Sequence, residues 1–158
     1  MGSVADQRKT GSHYLGAVRG GYGNPLKTLE TEAPVADVVK AAFQAGLKSR
    51  RLAASQGAAK YYLNVTIVKF DCSQYVRRRA DANFRIQLMG MNGNVEYEHS
   101  VVATEVDGSL LTLETGVFGS VEDLRKIANE LLQRVVDQAL DDPGLLAHLR
   151  GSQPSTTG

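Results

Sequence analysis

Hydrophobic and polar residues change their spacing along this chain, and each change marks an element. Val35, Val38, Val39, Ala42, Phe43 and Leu47 recur at three- and four-residue steps, the single apolar stripe of a helix. Pro34 suits its first turn, with Thr31 and Glu32 just upstream, while Lys48, Arg50 and Arg51 suit its negative pole. "ASQGAA" is expected to close this helix at Gly57.

From residue 60 the period falls to two. In "YYLNVTIVKFD" Leu63, Val65 and Ile67 share one face, whereas Asn64, Thr66, Val68 and Phe70 fall on the other. In the next run Val76, Ala80, Ala82, Phe84, Ile86 and Leu88 hold the even positions, broken only by Arg78. Arg77, Arg79, Asp81, Asn83, Arg85 and Gln87 hold the odd ones. Asn92 and Gly93 then signal a two-residue hairpin in which Met91 pairs with Asn94. That register places Leu88 opposite Tyr97, Ile86 opposite His99, Phe84 opposite Val101 and Ala82 opposite Ala103, so both apolar sets share a face.

Residues 107–119 read as either an extra strand or a structured loop. "SVED" then forms a capping box, Ser120 with Asp123, before a broad stripe of Leu124, Ile127, Ala128, Leu131, Leu132, Val135, Val136, Ala139 and Leu140. "DDPG" stops this helix, and "LLAHLR" adds a further helical turn or two. With "HYLGAVRG" as an early strand and "GGYGNP" as a turn, the order is β-α-β-β-β-α. This is an α+β fold, a mostly antiparallel sheet with two helices packed on one face. Residues 13–150 form the single domain. Residues 1–12, opening Met-Gly-Ser like a cloning leader, and the polar tail 151–158 are expected to be disordered.

Composition narrows function mainly by exclusion. The chain has 158 residues, 42% hydrophobic and 22% charged, enough for one ordinary core. Eighteen basic and 17 acidic residues leave a net charge of +1, without the basic excess of a dedicated nucleic-acid domain. Cys72 is the only cysteine, so no intramolecular disulfide or cysteine-cluster metal site can form. No apolar run approaches the ~20 residues of a membrane-spanning helix.

Candidate chemistry is sparse. Arg77, Arg79 and Arg85 suggest a phosphate or acidic-lipid strip, but Asp81 and Glu98 interleave with them and no aromatic ladder accompanies them, so a solvated outer face is favoured. The glycines at 16–25 lack phosphate-loop spacing. Cys72, placed in a turn beside Asp71, has no evident base, and His99 reads as a core histidine opposite Ile86. Asn64 begins a glycosylation sequon inside a strand. No catalytic, cofactor or metal site is expected.

The block "YYLNVTIVKFD", the hairpin "NGNVEYEHSVVAT" and "GVFGSVEDLRKIANELLQRVVDQALDDPGL" together resemble small bacterial envelope lipoproteins. The similarity, over about residues 13–149, is to YajG-like lipoproteins and to the fold of the TolB amino-terminal domain. It implies a non-enzymatic periplasmic accessory or assembly domain, held to a membrane only through a lipid anchor upstream of this sequence. Its partner would be an envelope protein or another copy of itself, with no nucleic acid. Contacts are expected from loops at 20–25 and 107–119 and from the sheet face, through Tyr22, Asn24, Arg77, Arg79, Arg85, Leu111 and Leu113. The alternative is a small-ligand or nucleic-acid binding module using the arginine-bearing face.

Overall fold

The computed structural model describes residues 1–55, 57–107 and 121–151. Six strands form a mixed sheet: β1 (Val4–Asp6), β2 (Tyr14–Arg19), β3 (Pro25–Glu30), β4 (Tyr61–Gln74), β5 (Arg78–Gly90) and β6 (Val95–Asp107). Three helices accompany it: α1 (Val35–Ser49), α2 (Val121–Leu140) and α3 (Pro143–Gly151). The α+β fold thus holds, with β1, β3 and a full α3 added to the expected elements.

Strand order is β3-β2-β4-β5-β6, and β1 joins the edge of β4 beside Val65, Thr66 and Ile67. Both β1 and β2 run parallel to β4, and the other pairings are antiparallel. The leader expected to be disordered therefore supplies a strand. Gly2 and Gln7 donate backbone hydrogen bonds to Leu63 and Ile67, and Ser3 accepts one from Val65. The Arg8 guanidinium pins the segment further, donating to Tyr14 O at 2.7 Å, Phe70 O at 3.2 Å and the Asp6 carboxylate. A short polar stretch needs no core of its own when an open strand edge offers it backbone partners. Residues 152–158, in the expected tail, and 108–120, in the ambiguous loop, lie outside the described residues, as does the capping residue Ser120.

The hairpin register agrees with the sequence over Ala82–Ala103, Phe84–Val101, Ile86–His99 and Leu88–Tyr97. The turn itself differs. Gly93 donates to Gly90 O and Gly90 to Asn94 O, so Met91, Asn92 and Gly93 form a three-residue loop with Gly93 at φ 80°. Met89 consequently pairs with Val95, and a bulge between this pair and Leu88–Tyr97 restores the register. A second bulge, between Ile67 and Lys69 of β4, turns Val68 outward and returns Phe70 to the core. This corrects the strict alternation that would have placed Phe70 on the polar face.

One core results. Leu63, Val65, Ile67 and Phe70 of β4 and Ala80 to Leu88 at the even positions of β5 pack against Val35, Val39 and Phe43 of α1 and the apolar stripe of α2. Phe84, fully buried, meets Phe70 edge-on with ring centroids 5.6 Å apart. α1 ends at Ser49, eight residues before Gly57. Leu52 donates to Leu47 O and Arg51 to Lys48 O, a Schellman closure in which Arg51 itself takes φ 56°. Arg50 stabilises that end by ion pairs to Asp137 of α2 and to Asp141 just past it, both at 2.7 Å.

Candidate functional site

β4 is 14 residues long, about 45 Å from end to end, and its two ends differ in character. At its start Met1 packs against the core cluster and Gly2 lies beside Leu63 and Asn64. At its finish the chain bends through Tyr75, Val76 and Arg77 into β5. The turn between β2 and β3 comes to this same end, because Val18 of β2 pairs with Gln74 of β4. Tyr75 ties the two turns together by donating its hydroxyl to Gly21 O at 2.8 Å, and Arg19 braces the first by donating to Gly23 O at 3.1 Å. β6 also ends here, Asp107 pairing with Arg78.

Apolar groups crowd the surface of this end. Tyr22 is 102% exposed, Val76 70%, Leu26 58% and Tyr75 56%. Asn24 and Arg77 are exposed beside them. Three of the sequence-predicted contact residues, Tyr22, Asn24 and Arg77, are thereby brought to one end of the sheet. Leu111 and Leu113 fall outside the described residues. Tyr75, Val76 and Leu26 were not foreseen. The alternating pattern puts Val76 on the buried face of a strand, but β5 begins only at Arg78. An apolar Tyr-Val pair at a strand-to-strand bend was the available signal.

Arg79 and Arg85 lie instead on the outer face of the sheet. Arg79 donates two hydrogen bonds to Asp81, at 2.8 and 2.9 Å, and Lys69 and Thr104 donate to the same carboxylate. These bonds, Arg79's above all, hold the Asp81 carboxyl down to about 2 against the opposing effect of burial. Across the β4–β5 pairing Asp71 faces Asp81, and burial raises its pKa while Arg19 and Lys69 oppose that rise. Arg78, the break in the apolar pattern, reaches Asp123 of α2 at 2.9 Å. Arg85 stands exposed opposite Ser100, next to the Gln87–Glu98 hydrogen bond of 2.6 Å. The arginine strip is thus a partly neutralised outer face.

The profile of a family described as uncharacterized lipoprotein matches residues 3–150. The chain belongs to that family. The match includes β1, so the strand-forming start of this lipoprotein is part of the family's own domain. Protein XCC0632 from Xanthomonas campestris shares the fold, with a TM-score of 0.70 at 14% identity over 97% of this chain and 86% of that one. A candidate lipoprotein from Caulobacter crescentus CB15 does so with a TM-score of 0.52 at 14% identity, over 89% of this chain and 93% of that one. No curated protein matches the chain.

The lipoprotein's titratable core groups are arranged for packing. Cys72 lies within β4 rather than in a turn, fully buried, and burial followed by the Asp71 and Asp81 charges pushes its thiol up to about 12. His99 is half-buried, its ring 5.4 Å from that of Tyr97, and neither ring nitrogen has a hydrogen-bond partner among the described residues. Burial lowers its pKa, and the Asp142 charge opposes this. Asp142 itself caps α3 by accepting from the Leu145 amide at 2.8 Å, and accepts from the Tyr97 hydroxyl at 2.7 Å. The Asn64 side chain accepts from the Ser3 amide at 2.9 Å, so the sequon residue helps dock β1. Among the described residues no group of three histidine, cysteine, aspartate or glutamate side chains could hold a metal ion, and no helix is long and apolar enough to cross a membrane.

Proposed function

We propose that this lipoprotein is a non-enzymatic accessory domain of the bacterial cell envelope that acts by docking another protein on the Tyr75 end of its sheet. The observation that carries this reading is the cluster of exposed Tyr22, Leu26, Tyr75 and Val76 at the end of β4 opposite Met1. Lipid anchors hold such domains from the amino-terminal side, and the path from Met1 to Tyr75 runs the length of the sheet. An anchored domain would then present Tyr22 and Tyr75 away from the bilayer. Aromatic side chains beside arginines, here Arg19 and Arg77, are the residue types that anchor protein interfaces. The small extent of the cluster suits a transient contact or one part of a larger interface.

The competing use of the outer face for phosphates is weakened by the ion pairs that Arg79 and Lys69 make with Asp81, which partly neutralise the cations there.

The test is photocrosslinking in the native envelope, with a photoreactive residue at Tyr22, at Val76 or, as the outer-face reference, at Arg85. Protein adducts should form from the first two positions and be at least five-fold weaker from the third. Adducts confined to lipid, or equal yields at all three positions, would reject the docking assignment.

A further inference from the structure

The outer face of the sheet is mostly polar, but not at the Met1 end. The strand register puts Tyr62 of β4, Met89 of β5 and Val95 of β6 in one row across that face. Tyr62 and Val95 are exposed, and Met91, 65% exposed, extends the row at the tip of the β5–β6 loop. The next outward row is already polar, with Asn64, Gln87 and Glu98, and the one after it holds Thr66, Arg85 and Ser100. Farther along, exposed Val102 faces Asn83 and Val106 faces Arg79, so neither builds a comparable row. The chain enters the domain at the apolar row, since Gly2 donates its amide to Leu63 O, next to Tyr62.

We propose that this row is a bilayer contact, with Tyr62, Met91 and Val95 seated in the headgroup layer of the membrane that holds the domain. The inference rests on the lipid-anchored part of the reading above and not on docking at the Tyr75 end. Tyrosine suits that depth, with an apolar ring and a hydroxyl that stays wet. Glu96, the exposed carboxylate next along β6, lies at the margin of the row, where headgroups are hydrated. A second copy is a poor occupant, because a few side chains fall far short of the ~800 Å² per partner of a stable protein interface. A membrane tethered to this end needs no such area. The tether supplies the proximity, and the apolar row has only to set which end faces the lipid.

The chain contains no tryptophan, so single reporters can be placed cleanly at exposed positions. Tyr62→Trp, Arg85→Trp and Tyr75→Trp variants are tethered by an amino-terminal hexahistidine to phosphatidylethanolamine–phosphatidylglycerol vesicles containing nickel-chelating lipid. Quenching by brominated acyl chains is measured against the same vesicles without bromine. Arg85, paired with Thr66, lies about 13 Å along the strands from the Tyr62 row, and Tyr75 lies at the far end. Tyr62→Trp should be quenched roughly three-fold more strongly than either of the others. Adding Met91→Asp and Val95→Asp, both at exposed positions, should abolish that excess. Equal quenching at the three positions, none at any, an excess indifferent to the aspartates, or sedimentation showing copies paired through this row would each overturn the bilayer contact. The Tyr75→Trp arm separates the two readings. Strongest quenching there would reject the docking end as well, whereas a silent Tyr62→Trp beside an unquenched Tyr75→Trp rejects the bilayer contact alone.

Discussion

The parallel pairing of β2 with β4 depends on a residue without a side chain. A Cβ added at Gly16 would lie 1.5 Å from the Cys72 carbonyl oxygen, an atom of the neighbouring strand's backbone that no rotamer change can move. Gly16→Ala should therefore destabilise the fold by about 3 kcal/mol, read as a lowered urea midpoint. Cys72 itself should resist Ellman's reagent at pH 8 in the folded protein and react only in denaturant, because its thiol is pushed up to about 12. Stoichiometric labelling of the native state within seconds would contradict that. His99 makes a pH prediction with a defined sign. Its folded pKa lies below the ordinary ~6.5, so below that pH the unfolded chain takes up the proton more readily. Stability should fall as pH drops through 6.5 and level off once the folded pKa is passed. His99→Phe should flatten this part of a stability-versus-pH curve.

Two hairpins use one turn. "GGYGN" between β2 and β3 and "GMNGN" between β5 and β6 both place their fourth residue at positive φ, 78° at Gly23 and 80° at Gly93. In each the first glycine donates to the terminal asparagine's carbonyl and accepts from the glycine at the fourth position. Gly93→Ala should cost about 1 kcal/mol, measurable by thermal unfolding, without changing the strand register. The shared pattern was readable in the sequence, yet only the second instance stood between two alternating runs, so the β2–β3 hairpin was missed. The β5–β6 register was legible because a one-residue slip would have exposed Phe84 and Ile86. The β4 bulge was not, since nothing in "TIVKF" marks which residue is the extra one. Helix α2 followed from its broad stripe, but the end of α1 did not, because Arg51 adopts a conformation usually left to glycine while Arg50 is held by α2. The contact surface was half visible: the glycine-rich turn pointed to Tyr22, whereas the alternating run takes in Val76 and so hides the bend at residues 75–77.

On the scale of the whole molecule the sheet has a wired end and a bare end. β1 covers the edge of β4 at Val65, Thr66 and Ile67, and Arg8 locks that segment to Tyr14 and Phe70. Removing residues 1–8 should lower Tm by roughly 10 °C, taking about 3 kcal/mol at ~3 °C per kcal/mol for this size, and should promote self-association through the uncovered edge. Calorimetry and sedimentation would check the two effects, and an unchanged Tm would show that β1 adds nothing. The order of the strands has a temporal side as well. Ser3 and Asn64, which meet across the sheet, are 61 residues apart in sequence. A chain delivered amino-terminus first presents β1 and β2 long before β4, their template, has emerged. Until then β1 has no edge to join, and closure of the sheet must wait for its central strand.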